Sequence, residues 1–145
     1  MKNILFILAF VLTISWMVYS KRGVINSQNA PKAIGPYSQA ILADNTLYLS
    51  GQIALDPKSG ELKNGSIKEE VEQIMKNHLE ILKEANMDYS NIVKASVFLK
   101  NIEDFKEFNE IYGKYFPENP PARETVEVSR LPKNANIEIS FIAVK

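Results

Sequence analysis

Residues 67–85 read IKEEVEQIMKNHLEILKEA. Ile67, Val71, Ile74, Ile81, Leu82 and Ala85 recur at helical spacing, with Lys and Glu opposite. This is an amphipathic helix, and it needs an apolar surface to lie on. His78 falls in the middle of the apolar face, where a lone histidine completes a core more often than it takes part in catalysis. The segments on either side supply the surface. Upstream, residues 39–43 and 46–53 are strand-like, and Asp44-Asn45 between them is a two-residue hairpin signal. Asp56-Pro57 and Ser59-Gly60 then mark a loop. Downstream, residues 92–99 form a strand, and Asn101 can cap a second helix with Asp104 at its third position. Phe105, Phe108, Ile111, Tyr112 and Tyr115 make the face of that helix, and Pro117 stops it. After Pro120-Pro121, residues 125–129 and 137–144 alternate as strands around a Leu131-Pro132-Lys133-Asn134 turn. The order β-β-α-β-α-β-β predicts an α+β fold, a mixed sheet with two helices packed on one face. The face left bare predicts self-association.

Composition limits the chemistry. The 145 residues suit one domain with a sizeable core. Lys+Arg and Asp+Glu are both 17, so the global basic footprint of a nucleic-acid binder is missing. With no cysteine and a single histidine, the chain has no disulfide scaffold, thiolate metal site, catalytic thiol or multi-histidine centre. No Gly-rich phosphate loop or acidic metal cluster is visible. Carboxylates, arginine, hydroxyls and backbone groups remain.

The apolar residues are unevenly spread. Between residues 4 and 19 only Thr13 and Ser15 are neither apolar nor aromatic, and Lys2 precedes the run. That pattern reads as a signal peptide or short membrane anchor over residues 1–22, followed by one domain over 23–145. Val18 and Ser20 make a poor small-residue cleavage site, and Lys21-Arg22 suit an uncleaved anchor about as well. Export or membrane anchoring is therefore expected, with a cytoplasmic location the alternative.

Arg123 and Glu138 are the strongest candidates for chemistry. Alternation puts Arg123, Thr125, Glu127 and Ser129 on one face of their strand, and Glu138 and Ser140 opposite the apolar face of theirs. If the two strands pair, the guanidinium and the carboxylate share the polar side. Arginine suits bidentate capture of a substrate carboxylate, and a nearby Glu can take a proton from water. A structural salt bridge is the competing reading of the same pair. Tyr37 suits a ligand wall or the core; Gly51 offers backbone to a ligand because nothing blocks close approach. Ser50 is not in a nucleophile-elbow motif. Asn109, beside the second helix's apolar face, can cap a pocket or a strand end.

Five segments together resemble the RidA (reactive intermediate deaminase A, Rid/YjgF) family. They are APKAIGPYSQ at 30–39, LSGQI at 49–53, PARETVEV at 121–128, RLPK at 130–133 and IEI at 137–139. The resemblance implies a chorismate-mutase-like fold, a homotrimer with sites in the clefts between subunits, and no cofactor. It implies hydrolysis of enamine/imine intermediates of the 2-aminoacrylate and 2-iminopropanoate type to 2-oxo acids and ammonia. The family's carboxylate-binding arginine falls on Arg123 and its water-activating glutamate on Glu138. Tyr37, Ser50, Gly51 and Asn109 match its pocket positions, and Thr125 stands where well-known bacterial members carry Cys. A non-catalytic sensor of small 2-oxo acids in the same clefts is the alternative function.

The leader is tested by the amino-terminal sequence and cell fraction of the native protein. A mature chain beginning near residue 21, or a membrane-bound Met1 start, is expected. A Met1 start in the soluble cytosolic fraction would overturn the targeting reading.

Overall fold

The computed structural model describes residues 22–145, so the apolar run at 4–19 lies outside the described residues. Its strands are β1 (Arg22–Ile25), β2 (Ala40–Ala43), β3 (Thr46–Gln52), β4 (Ile92–Leu99), β5 (Ala122–Glu127) and β6 (Ile137–Val144). The helices are α1 (Ile67–Glu84) and α2 (Phe105–Tyr112), the latter extended at both ends by single 3₁₀ turns. Asp44 takes φ 52 to close the β2–β3 hairpin, as the Asp-Asn turn predicts. β1 was not visible in the sequence. It adds a short edge strand antiparallel to β2. Among the described residues, no helix is long and apolar enough to cross a membrane.

One mixed sheet results, in the order β1-β2-β3-β6-β4-β5. β6 lies antiparallel to both β3 and β4, while β5 runs parallel to β4 at the edge. The sequence-based pairing of β5 with β6 is therefore corrected. α2 carries the chain from the end of β4 back to its start, a crossover that sets β5 down parallel to β4. The final strand then fills the place between β3 and β4.

Both helices cover one face, where Leu47, Leu49, Val97, Leu99, Ile137, Ile139 and Phe141 meet Val71, Ile74, Ile81 and Phe108. α1 starts at Ser66, whose side chain accepts from the Glu69 amide at 3.2 Å. It ends where Asn86 adopts φ 55 and Met87 N donates to Leu82 O at 3.0 Å. Its buried face also carries polar groups that spacing alone does not assign. Glu70, 0% exposed, accepts from Asn136 N at 3.0 Å and Asn136 Nδ2 at 2.5 Å, which pins the entry to β6. Asn77 donates to Leu55 O at 2.9 Å and accepts from Gln73 at 2.9 Å. The opposite sheet face leaves Val24, Tyr48, Val126 and Val144 exposed.

His78 is part of the core. Its Nε2 lies 2.9 Å from Ile139 O, so that nitrogen carries the proton, and its ring meets Phe141 edge-on at 4.7 Å. Burial pulls its pKa down to about 4, and the bond to Ile139 offsets this only in part. The imidazole is thus neutral in the fold, whereas unfolded it protonates near 6.5. As pH falls from 6.5 toward about 4 the unfolded chain takes up a proton that the fold refuses. His78 should therefore cost the wild type about 3 kcal/mol of stability across that range. Denaturant melts of wild type and His78→Met at pH 7 and pH 4 check this. The variant should lose less stability on acidification, and an equal loss would refute the assignment.

Candidate active site

Glu138 and Arg123 occupy opposite faces of the sheet. Arg123 pairs in register with Ala95, whose side chain is fully buried on the helix side. Glu138 pairs with Phe98 on the uncovered face. The expectation that the two side chains share the polar side is therefore wrong twice over: β4 separates their strands, and their side chains diverge. Nor do they form a salt bridge, which was the competing reading. Among the described residues the ion pairs are Lys63–Asp56, Lys83–Glu80 and Lys94–Glu124. Two separate half-sites remain.

The first surrounds Glu138, in a cavity of about 370 Å³ that includes Tyr37, Ser50, Gly51, Ile53 and Pro132. β3 makes the room. Its register against β6 shifts between Leu49 and Gln52, a bulge that re-aims the backbone beside Glu138. Within that bulge a methyl at Gly51 would collide with Glu138 Oε1 and lie 2.9 Å from its Cδ. Gly51 is there because the carboxylate rests on its backbone. Half-buried and without a cationic partner, the Glu138 carboxyl is pushed above the usual carboxylate range by desolvation. Such a group is a better base than an exposed carboxylate. Ser50 is committed to structure: its hydroxyl donates to Ser38 O at 2.7 Å and its amide to Gln39 O at 3.0 Å. Tyr37, at the cavity mouth, accepts from Ile34 N at 3.2 Å.

Sequence reasoning gave no role to Gln39. Its buried amide accepts from Ser27 N at 2.6 Å and donates to Ser27 O at 3.1 Å and Pro31 O at 2.8 Å. That clamp holds the segment carrying Pro31 and Ile34 against the Glu138 cavity. A Gln flanked by Ser38 and the inward-facing Ala40 was the available signal, since a buried amide there has to find backbone partners.

The second half-site surrounds Arg123, with Asn109, Tyr112, Phe116, Pro120 and Pro121 lining a more open hollow of about 410 Å³. Asn109 Oδ1 accepts from Arg123 Nη2 at 2.7 Å. Thr125 points to the same side as Arg123, opposite Val97, and its Oγ1 is buried without a hydrogen-bond partner. Arg123 can therefore offer its charge to an anion. Among the described residues, no group of three His, Asp or Glu side chains could hold a metal ion.

Comparison with known proteins follows the same elements. A family model described as endoribonuclease L-PSP matches residues 27–145. The human protein named 2-iminobutanoate/2-iminopropanoate deaminase is 52% identical over 124 residues, which cover 86% of this chain and 90% of its own. A Yersinia pestis protein of the conserved Rid family, of unknown function, is 44% identical with a TM-score of 0.84, covering 86% of this chain and all of its own. E. coli TdcF, solved with bound serine, is 34% identical with a TM-score of 0.81 over 85% of this chain and 98% of its own.

The seat of Glu138 can be tested directly. Carbon-detected titration of its carboxyl should give a midpoint above 4.5 in the wild type. Gly51→Ala, which pushes the carboxylate off the bulge toward water, should return the midpoint toward the ordinary value. An unchanged midpoint would show that the carboxylate does not rest on Gly51.

Proposed function

This chain belongs to the endoribonuclease L-PSP family, which includes the RidA proteins, and from that premise we propose that it is a hydrolytic deaminase. Its substrates would be 2-imino acids of the 2-iminopropanoate and 2-iminobutanoate type, and its products 2-oxo acids and ammonia. The observation that carries this reading is that the chain holds both an unneutralised Arg123 and a desolvated Glu138, each in its own half-site, on elements that match the human deaminase at 52% identity. A ribonuclease reading draws no support from a charge of 17 against 17.

The two half-sites support a shared site. No single chain can bring Arg123 and Glu138 to one small substrate when they diverge from opposite faces of a sheet. Two copies can, if the uncovered face of one packs against the edge of the next. Exposed Tyr48, Val126 and Val144 on that face favour such packing, and a closed ring of three, the homotrimer implied by the resemblance, satisfies every copy equally.

The chemistry then assigns one task to each group. An enamine first tautomerises to the imine, and Arg123 takes the carboxylate of the imino acid through charge-assisted hydrogen bonds. Glu138 deprotonates a water that adds to the imine carbon, giving a carbinolamine. Glu138 returns the first proton to the nitrogen and then carries the hydroxyl proton of the carbinolamine to the same nitrogen, so the C–N bond breaks as the carbonyl forms and ammonia leaves. Water supplies the oxygen and nothing is oxidised or reduced. Imines hydrolyse without help, so positioning and general-base catalysis of about 10²–10⁴-fold suffice. An export or anchoring signal at residues 4–19 would direct this activity to imines formed outside the cytoplasm.

The test follows 2-oxo acid formation from freshly generated 2-iminopropanoate. Arg123→Ala should lower kcat/KM roughly 10- to 150-fold, the value of a lost charge-assisted contact. Glu138→Gln should lower kcat about 10²–10⁴-fold. Wild-type kcat should fall as pH drops through the raised pKa of Glu138, because only the carboxylate acts as a base. Refolding the two inactive variants together should restore roughly a quarter of wild-type activity, since a random ring pairs an intact arginine with an intact glutamate at that frequency. Wild-type chain that binds 2-oxo acids yet leaves imine hydrolysis at its spontaneous rate would instead be a sensor.

A further inference from the structure

The Arg123 guanidinium is held in an unusual way for a partly buried cation. Its carbon lies 5.0 Å from the ring centroids of Phe108 and Tyr112 and 5.7 Å from that of Phe105. Its hydrogen bond goes to the neutral Asn109 amide at 2.7 Å. Among the described residues, no carboxylate is paired with it. Three aromatic faces stabilise the cation through their quadrupoles and leave its charge in place. A carboxylate would hold it more firmly, but it would compete with any anionic ligand. Phe105 has no reason in the core to be aromatic. It is 39% exposed, at the first position of α2, and its ring covers a cation instead of filling a gap.

We propose that Phe105, Phe108 and Tyr112 form an aromatic box that positions Arg123 without neutralising it, and that Phe105 is its accessible wall. The box rests on the reading of Arg123 as the carboxylate receptor. It acts through Arg123 and touches no reacting atom, so it sets affinity for the substrate carboxylate and leaves the chemical step at Glu138 alone.

Full-length wild type, Phe105→Leu, Phe105→Tyr and Arg123→Ala would be compared for calorimetric binding of 2-oxobutanoate, and for KM and kcat with 2-iminopropanoate. Phe105→Leu keeps the apolar bulk and loses the ring face. It should weaken 2-oxobutanoate binding and raise KM by about two- to thirtyfold, with kcat and its pH profile unmoved and the melting temperature retained. Phe105→Tyr should restore both. Wild-type binding by Phe105→Leu, where Arg123→Ala has lost it, would overturn the box and leave the arginine assignment standing. Undiminished binding by Arg123→Ala, or no binding by wild type, would overturn both.

Discussion

Everything in this fold hangs on the place taken by β6, the last strand in the chain. It lies in the middle of the sheet, antiparallel to β3 on one side and β4 on the other. Its alternation is strict: Ile137, Ile139, Phe141 and Ala143 are buried under the helices, while Glu138 and Ser140 face the other way. A slip of one residue would bury the carboxylate and expose the core, so the register that builds the core also aims Glu138. Two polar contacts from α1 reinforce that register. Glu70 holds Asn136 before the strand, and His78 holds the carbonyl of Ile139 just past Glu138. Both are costly groups to bury, and both spend their hydrogen bonds on β6 or its entry: Glu70 on the amide and side chain of Asn136, His78 on the backbone of Ile139.

The bulge in β3 trades stability against chemistry. A regular β3 would pair with β6 without interruption and could carry a side chain at residue 51. The structure has a glycine and a register shift there, and it lets a carboxylate lie against the backbone at a desolvation cost. That cost is the source of the basicity. A carboxylate in open water at the same position would be easier to fold and poorer at taking a proton from water.

The elements were largely legible in the sequence because period and punctuation agreed. α1 spans 67–84 where spacing set 67–85, the Asp44-Asn45 turn closes the hairpin, and β4 and β6 have the expected bounds. Asn101 does cap the segment it was expected to cap, although it caps a 3₁₀ turn that precedes α2. What could not be read was which strands are neighbours. Alternation reports the face of a residue relative to its own strand, and it is silent on which side of the sheet that face turns. Arg123 and Thr125 were grouped with Glu138 because all are polar, yet the covered side receives the first two, and Val126 lies bare on the other. An edge strand such as β5 packs one helix loosely, so its burial contrast is too weak to announce its inward face.

That same weakness explains how one arginine can sit under a helix and still be available. At the edge of the sheet, the ground between β5 and α2 is part core and part surface. An aliphatic side chain there would bury little, and an ion pair would be closed to ligands. A guanidinium against aromatic faces satisfies both sides of the boundary: its flat, weakly hydrated surfaces pack like an apolar group, and its edges keep their donors. Tyr112 contributes a face without adding a charge, since burial raises its phenol to about 12 and keeps it neutral at any pH the fold meets. Asn109 restrains one nitrogen with an amide oxygen, a partner too weak to cancel the cation. The half-site is thus ordered in advance by neutral groups alone, so the positive charge arrives at a ligand carboxylate undiminished.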